Sequence, residues 1–535
     1  MTVKSSAAIT EDAMSDPSTA YNFTIDVVDA LAAQRPDDLA MLWVDGDRPP
    51  QAISFEALSR SAARSASVLK QAGVKKGDTV LILLSREREW WEIMLACLRI
   101  GAIASPGTVQ LSAKDIAYRV EAATARCIVS TSGTAAKVDE ASLPADLKLI
   151  HVGGPRPGWV DYAAEFTAAK PLTTAEVTWA GEDALCYFTS GTTGYPKMTI
   201  HTHGYTAAHR ITGDYWLDLK PGDLHWNLSD TGWAKAAWSS LFGPWQRGAA
   251  IFVHHSSEFD VEAVLTLLEQ NAVSTLCAPP TAYRMFVRHG LEGRRFARLR
   301  HCVSAGEPLN PEVIDMWRSA TGLEIYDGYG QTETVLLCGN RPGARRQGSM
   351  GKPAPEFRMA VIDETGFPLP PRREGDIALS IAGGRPPGLF KEYRGDPDRT
   401  ASVFRGDWYL TGDRGLVDED GFFWFVGRSD DVILSSGYRI GPFEVESALF
   451  EHPAVAESAV VASPDPTRGE VVKAFVILSA GYTPSQQLVE ELQAHVKATT
   501  APYKYPRKID FVASLPKTIS GKIRRKELRD AEWAS

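Results

Sequence analysis

The amino-acid sequence predicts an α/β fold. It has a large N-terminal domain of stacked mixed and parallel sheets with a β-rich subdomain, followed by a small α+β C-terminal domain. Three observations carry this. The chain has 535 residues and is 44% hydrophobic, too much apolar chain for one ordinary core. Its first four-fifths alternate helical and strand patterns. Near residue 366, and again after residue 429, the texture changes.

Residues 1–20 have no apolar core and carry Glu11, Asp12 and Asp16. A secretory signal needs the first feature and a transit segment avoids the second. They are expected to form a disordered arm of a cytoplasmic protein. Residues 55–72 (FEALSRSAARSASVLKQA) then repeat apolar residues at helical spacing. Residues 79–84 (TVLILL) are a short apolar run, and 90–100 are again helical in pattern. Further strand-like runs occupy 127–130, 147–152, 184–188, 249–253 and 274–277. Continuous apolar strands separated by helices indicate mostly parallel sheets covered on both faces.

From residue 366 glycine and proline become dense (GFPLPPRREGD, AGGRPPG), and short strands at 376–380 and 422–426 suggest antiparallel structure. The last segment has helices at 442–451 and 486–499, strands at 458–462 and 473–478, and a basic tail. At about 105 residues it is the size of a small domain. The expected division is an arm over 1–20, a large domain over 21–429 and a small domain over 430–535.

The formal net charge of −9 argues against a nucleic-acid binder, which carries a clustered basic excess. No apolar run approaches the roughly 20 residues that span a bilayer. The six cysteines form no CxxC pair or other metal-ligand spacing and read as buried, reduced thiols.

One string stands out after the strand 184–188: Thr189, Ser190, Gly191, Thr192, Thr193, Gly194, Tyr195, Pro196 and Lys197. Its glycines let the backbone turn tightly so that successive N–H groups can face an anion. Its hydroxyls and the ammonium add donors for phosphate oxygens. It is not a Walker A loop, because two residues separate Gly194 from Lys197 and no Ser or Thr follows the lysine.

TSGTTGYPK resembles the phosphate-loop signature of the adenylate-forming superfamily, which includes acyl-CoA synthetases, luciferases and peptide-synthetase adenylation domains. Further motifs follow in order: Gly306, Glu307 and Pro308; DGYGQTE over 327–333; YLTGD over 409–413; GRSDD over 427–431; SGYRIG over 436–441; and PKTISGK over 516–522. Within the superfamily, stretches such as LSDTGWAKAAWSSLFGPW and TAPYKYPRKIDFVASLPKTISGKIRRKELRD are similar to medium-chain acyl-CoA synthetases.

The resemblance implies a two-step reaction. A carboxylate attacks the α-phosphate of ATP, carried with Mg²⁺, and the thiol of CoA then displaces AMP. It implies that Lys197 holds the β- and γ-phosphates and that Thr192 and Glu333 ligate Mg²⁺, hard oxygens for a hard ion. Adenine would lie between Gly306, Glu307 and Pro308 on one side and Asp327, Gly328 and Tyr329 on the other, and Gly330, Gln331 and Thr332 would complete the ATP site. Asp413 and Arg428 would hold the ribose, and Arg439 would sit near the phosphates. Lys522 is implied as the adenylation lysine, although it lies in a basic run, KIRRKELR, of the kind that usually forms a solvated helix face. Asp430 occupies the hinge position. Gln110, Ser436, Gly437, Tyr438, Arg468, Lys497, Tyr505, Pro506 and Arg507 resemble CoA contacts.

Acetyl-specific relatives place a tryptophan before QTE. Gly330 stands there instead, so an open pocket floor and a larger acid are expected. Trp233, Val335, Leu336, Leu337 and Cys338 are the candidate walls. A medium-chain fatty acid fits this reading; an aromatic or branched short-chain acid is the alternative, and a stand-alone enzyme loading a carrier protein is another.

Overall fold

The computed structural model describes residues 16–46, 48–189, 196–256, 258–435, 438–466, 468–517 and 522–534. The chain folds into two compact units. The first gathers the chain up to Gly306 with Met316–Gly343 and Gly383–Ser402. The second gathers Glu307–Asp315, Ala344–Ala382 and the chain from Val403 onward.

The first unit holds two large sheets. In one, strands follow the order Glu392–Arg394, Lys197–Thr202, Asp183–Thr189, Ile103–Pro106, Thr79–Leu83, Cys127–Thr131, Lys148–Val152 and Val160–Asp161. Pairing from Asp183–Thr189 onward is parallel, and the two strands at the other edge are antiparallel. Thr79–Leu83 is buried throughout with a parallel neighbour on each side, which explains its unbroken apolar run. In the other sheet, Leu336–Gly339 is followed by Ile325–Gly330, His301–Ala305, Thr275–Ala278, Leu224–Asn227, Ala250–His255, Leu39–Asp45 and Gln51–Ser54. Its interior is parallel and both these edges are antiparallel.

The helix Phe55–Gln71 begins where the Ser54 hydroxyl accepts the Ala57 N–H, satisfying one orphan donor. It buries Phe55, Leu58, Ala62, Ala66 and Leu69, the stripe expected of a helix on a core. Arg88–Arg99 is buried from Trp90 onward, charged residues included. Arg99 is met by Asp29 at 2.5 Å and Glu92 by Arg88 at 3.1 Å, as buried charges require. The chain between Trp238 and Phe242 winds as a wider π-helix, a local irregularity that concentrates at functional sites.

Most of the expected arm, residues 1–15, lies outside the described residues. Residues 16–20 are bonded: the Ala180 N–H donates to the Thr19 carbonyl at 2.8 Å, and Ala20 bridges Trp179. Terminal residues tied into backbone hydrogen bonds no longer behave as an arm.

The second unit is antiparallel around Trp408–Val417, flanked by Gly375–Ser380 and Phe423–Arg428. A further sheet pairs Val455–Asp465 with Gly469–Leu478, whose other side takes Lys508–Phe511 in parallel. This hairpin is longer than the runs 458–462 and 473–478, because pairing carries it into polar ends. Arg525–Ala534 is a helix, and Arg525 meets Glu446 at 2.7 Å. Part of the basic run therefore has an acidic partner. Among the described residues no helix is long and apolar enough to cross a membrane.

Candidate active site

The strand Lys197–Thr202 alternates its side chains across the sheet. Met198 and Ile200 enter a core cluster with Ile103, Cys186 and Phe188. Lys197, Thr199 and His201 therefore share the other face. The returning strand Glu392–Arg394 lies antiparallel beside them, with Tyr393 opposite Thr199. The Tyr393 hydroxyl donates to Glu333 Oε1 at 2.7 Å. Lys197 Nζ lies 3.9 Å from the same oxygen, 3.5 Å from the Tyr393 oxygen and 4.5 Å from its ring centre. Glu333 and Tyr393 are both buried. An ammonium, a phenol and a carboxylate thus converge at the foot of the glycine-rich loop.

Ser190, Gly191, Thr192, Thr193, Gly194 and Tyr195 lie outside the described residues. Their flanks are fixed: Thr189 is in register with Lys197, and the Tyr118 hydroxyl donates to the Pro196 carbonyl at 3.1 Å. The loop is therefore closed at its base by a strand pair.

The DGYGQTE segment is held by its backbone. The Gly328 N–H donates to Asp327 Oδ1 at 3.0 Å, the Gln331 N–H to Thr334 Oγ1 at 3.0 Å, and the Phe390 N–H to the Glu333 carbonyl at 2.7 Å. His201 Nε2 lies 2.7 Å from the Thr332 carbonyl, and its ring stacks on Tyr205 at 3.7 Å. Burial pushes the His201 imidazole down to about 3, so it stays neutral and donates to that carbonyl rather than competing as a cation. Tyr329 follows Gly328 in the same strand, and Gly306, at φ +104°, ends the neighbouring one.

Gly330 is not open space. A Cβ there would stand 2.6 Å from the Trp238 indole and 2.6 Å from the Val335 carbonyl. Trp238 comes from the π-helical turn, and its Nε1–H donates to the Tyr205 hydroxyl at 2.9 Å. A side chain at position 330 would therefore collide with a tryptophan from a different element.

Val335, Leu336, Leu337 and Cys338 are all fully buried. Neighbouring residues of a strand face opposite sides, so the four cannot line one pocket together. Leu336 packs with Trp216, Leu217, Val303 and Ala305 in the core. Trp233 is half-buried, in a loop tied by Gly232 N–H to Asp230 at 2.8 Å and by Thr231 to the Leu84 carbonyl at 2.8 Å. Gly232 approaches the Thr108 backbone so closely that a Cβ would sit 2.3 Å from its nitrogen. That contact brings Trp233 near the segment carrying Gln110.

The second unit holds the remaining candidates. Asp413 and Arg428 face each other across a strand pair, with Arg428 Nε 3.3 Å from Asp413 Oδ1 and 4.0 Å from Asp430 Oδ1. Gly412, within the strand just before Asp413, has φ +74°, a backbone conformation that a side chain resists. The Asp430 carbonyl accepts from Arg529. Tyr438 is exposed and stacks on Tyr503 at 4.3 Å, and Arg439 beside it is exposed. Tyr505 lies between two cations, Lys497 at 3.9 Å and Arg507 at 4.8 Å from its ring. Pro506 is buried and its carbonyl accepts from Gln493. Arg468 is exposed, and its N–H donates to Asp465. Glu307 and Pro308 belong to this unit, as does the exposed Lys522. Ser436 and Gly437 lie outside the described residues.

Sequence reasoning missed Tyr393 and Trp238. Tyr393 sits in a charged string, KEYRGD, and only the pairing with Lys197–Thr202 reveals it. Trp238 follows Trp233 by five residues, but its relation to Gly330 is tertiary.

Two family models match the chain. The AMP-binding enzyme model covers residues 28–393, and the AMP-binding enzyme C-terminal domain covers 444–522. The mouse mitochondrial acyl-coenzyme A synthetase ACSM3 is 50% identical over 528 residues, 96% of this chain and 91% of that protein. The human mitochondrial ACSM4 is 50% identical over 531 residues, with the same shares. Among solved structures, the anthranilate CoA ligase AuaEII in complex with anthranoyl-AMP is 30% identical, with a TM-score of 0.89 over 97% of this chain and 99% of that one.

The cytoplasmic location expected from residues 1–20 is overturned. These synthetases are named as mitochondrial, and half identity along nearly the whole chain outweighs the composition of one short stretch. The chain belongs to the AMP-binding enzyme family, the adenylate-forming superfamily that its motifs resemble, and within it to the acyl-CoA synthetases.

Proposed function

We propose that the chain is an AMP-forming acyl-CoA ligase that activates a medium-chain fatty acid, with the Lys197–Tyr393–Glu333 cluster as its grip on ATP. The observation that supports this is the ammonium 3.9 Å from a buried carboxylate at the base of the TSGTTGYPK loop. A carboxylate oxygen is a poor leaving group and AMP a good one, so adenylation divides a hard acyl transfer into two easier steps. The first step gathers negative charge and needs positioned cations and donors. Lys197 takes the β- and γ-phosphates. Lys522 bridges the acid and the α-phosphate. Asp413, an acceptor when ionised, takes the ribose hydroxyls with Arg428 beside it.

Among the described residues no cluster of three or more His, Cys, Asp or Glu could cage a metal. A single carboxylate, Glu333, suits Mg²⁺ that arrives on the nucleotide and keeps phosphate and water ligands. When bound, the cation would neutralise phosphate charge as it develops; Glu333, with Thr192, would hold it.

For the second step, residues 430–535 act as a mobile domain turning at Asp430 against 21–429. Tyr438, Arg468, Lys497, Tyr505, Pro506 and Arg507, with Gln110, receive CoA. The cationic pair around Tyr505 supports this, since phosphate and adenine need both charge and an aromatic face. Trp238 over Gly330 limits the acyl slot, and each buried CH₂ adds about 0.8 kcal/mol up to that limit. The likeness to an anthranilate CoA ligase supports an aromatic acid as the second reading.

The test is CoA-dependent AMP release with acetate, butyrate, hexanoate, octanoate and benzoate. A rise in kcat/KM with chain length to an optimum between hexanoate and octanoate is expected. A benzoate maximum transfers the assignment to aromatic acids. AMP release that needs a carrier protein instead of CoA overturns it.

A further inference from the structure

We infer that Tyr393 is a positioning residue that sets the geometry of both halves of the ATP grip. It rests on the reading above, in which Glu333 meets the nucleotide-borne Mg²⁺ and Lys197 the phosphates.

The hydroxyl donates to Glu333 Oε1 at 2.7 Å, a charge-assisted bond that fixes the rotation of the carboxylate. Fixing one oxygen determines where the other points. The same residue offers its ring to Lys197, whose Nζ is 4.5 Å from the centroid, within cation–π reach. One side chain therefore holds the anion by its polar tip and the cation chiefly by its face, with the ammonium 3.5 Å from the hydroxyl oxygen at the limit of a hydrogen bond. Without it, Lys197 and Glu333, a loose ion pair at 3.9 Å, could close to direct contact. That pair would have to break before either group met its ligand.

Tyr393 is itself held from several sides. Its N–H donates to Thr400 Oγ1 at 2.9 Å, its ring lies 4.7 Å from that of Phe390, and its strand is registered against Lys197–Thr202. The charged residues flanking Tyr393 bind elsewhere. Lys391 meets Asp183 at 2.8 Å and Arg394 meets the same carboxylate. The charges of KEYRGD pin the strand, and the tyrosine between them faces the site.

Two variants separate the roles. Tyr393→Phe keeps the ring and loses the hydroxyl; Tyr393→Leu loses both. Binding of ATP to the full-length protein is measured calorimetrically, without acid or CoA, once with excess Mg²⁺ and once with EDTA. Tyr393→Phe is expected to weaken Mg-ATP binding about tenfold, the scale of one hydrogen bond to a charged group, and to leave metal-free ATP binding unchanged. Tyr393→Leu should weaken both. A purely structural role would lower both affinities together in Tyr393→Phe, and that result, or wild-type Mg-ATP affinity, overturns the inference. Glu333→Gln is the companion. If it weakens Mg-ATP binding while Tyr393→Phe does not, only the role of Tyr393 falls. If Glu333→Gln has no effect, the metal reading falls and takes this inference with it.

Discussion

Lys197 and Lys522 are assigned to the same nucleotide, and the two units treat them differently. Lys197 springs from a paired strand, between a buried tyrosine and a buried glutamate. Lys522 is exposed, as are Tyr438 and Arg439. A group that grips a ligand throughout the reaction can be built into a sheet face, where neighbours fix it. A group needed for one half-reaction gains from exposure, because solvent can replace the contacts it gives up on leaving. Built-in groups should therefore couple activity to stability, and exposed ones should not.

The strongest way to break this contrast is Lys522→Ala. Adenylation should fall by at least about a hundredfold, the scale for removing one group that stabilises developing charge. Thioester formation from supplied acyl-AMP and the melting temperature should both stay near wild type. Equal loss of the two half-reactions defeats the assignment.

Next in size is Trp238→Leu. It opens the space above Gly330 and removes the bond to Tyr205. The preferred acid should lengthen, with selectivity moving about fourfold for each CH₂ accommodated. Stability should drop by about 2 kcal/mol for the lost packing and the stranded hydroxyl. An unchanged chain-length profile over the acid panel would falsify the wall.

Asp430→Pro sharpens the comparison from the other side. Thioester formation should suffer more than adenylation, since a fixed φ opposes rotation. Single-turnover rates of the two steps decide it.

The smallest effect is in pH. Burial pushes His201 and His225 down to about 3 and His203 to about 4, so these rings fold neutral. The unfolded chain takes protons near pH 6.5. The stability they contribute is therefore complete above pH 6.5 and is lost as pH falls toward 4, by up to about 1.4 kcal/mol per pH unit for each ring. His203→Gln should flatten this acid limb in urea titrations between pH 7 and 5. An unaltered slope removes His203 from the account.

Much of this was legible from local pattern. The helix over 486–499 coincides with Gln486–Thr499, and the run 79–84 contains the strand Thr79–Leu83, because an apolar period or a buried run is written in consecutive residues. The family was legible because its motifs are short strings of consecutive residues. What stayed hidden depends on pairings between distant residues. Tyr393 and Lys197 are 196 residues apart, and nothing in KEYRGD distinguishes a site residue from a surface one. Reading all of 335–338 as pocket walls overlooked the two-residue period of a strand. The nearness of Trp238 to Gly330 is likewise invisible in the sequence, because it joins two elements far apart in the chain.

The course of the chain has a consequence in time. The first unit includes Gly383–Ser402, which the chain reaches only after laying down Ala344–Ala382 of the second. On a ribosome adding about 5–20 residues per second, Lys197 emerges roughly 10–40 s before Tyr393. Throughout that interval the edge of Lys197–Thr202 that Glu392–Arg394 covers has no partner strand. Nascent chains halted before residue 390 should be the ones that most need a chaperone at that edge.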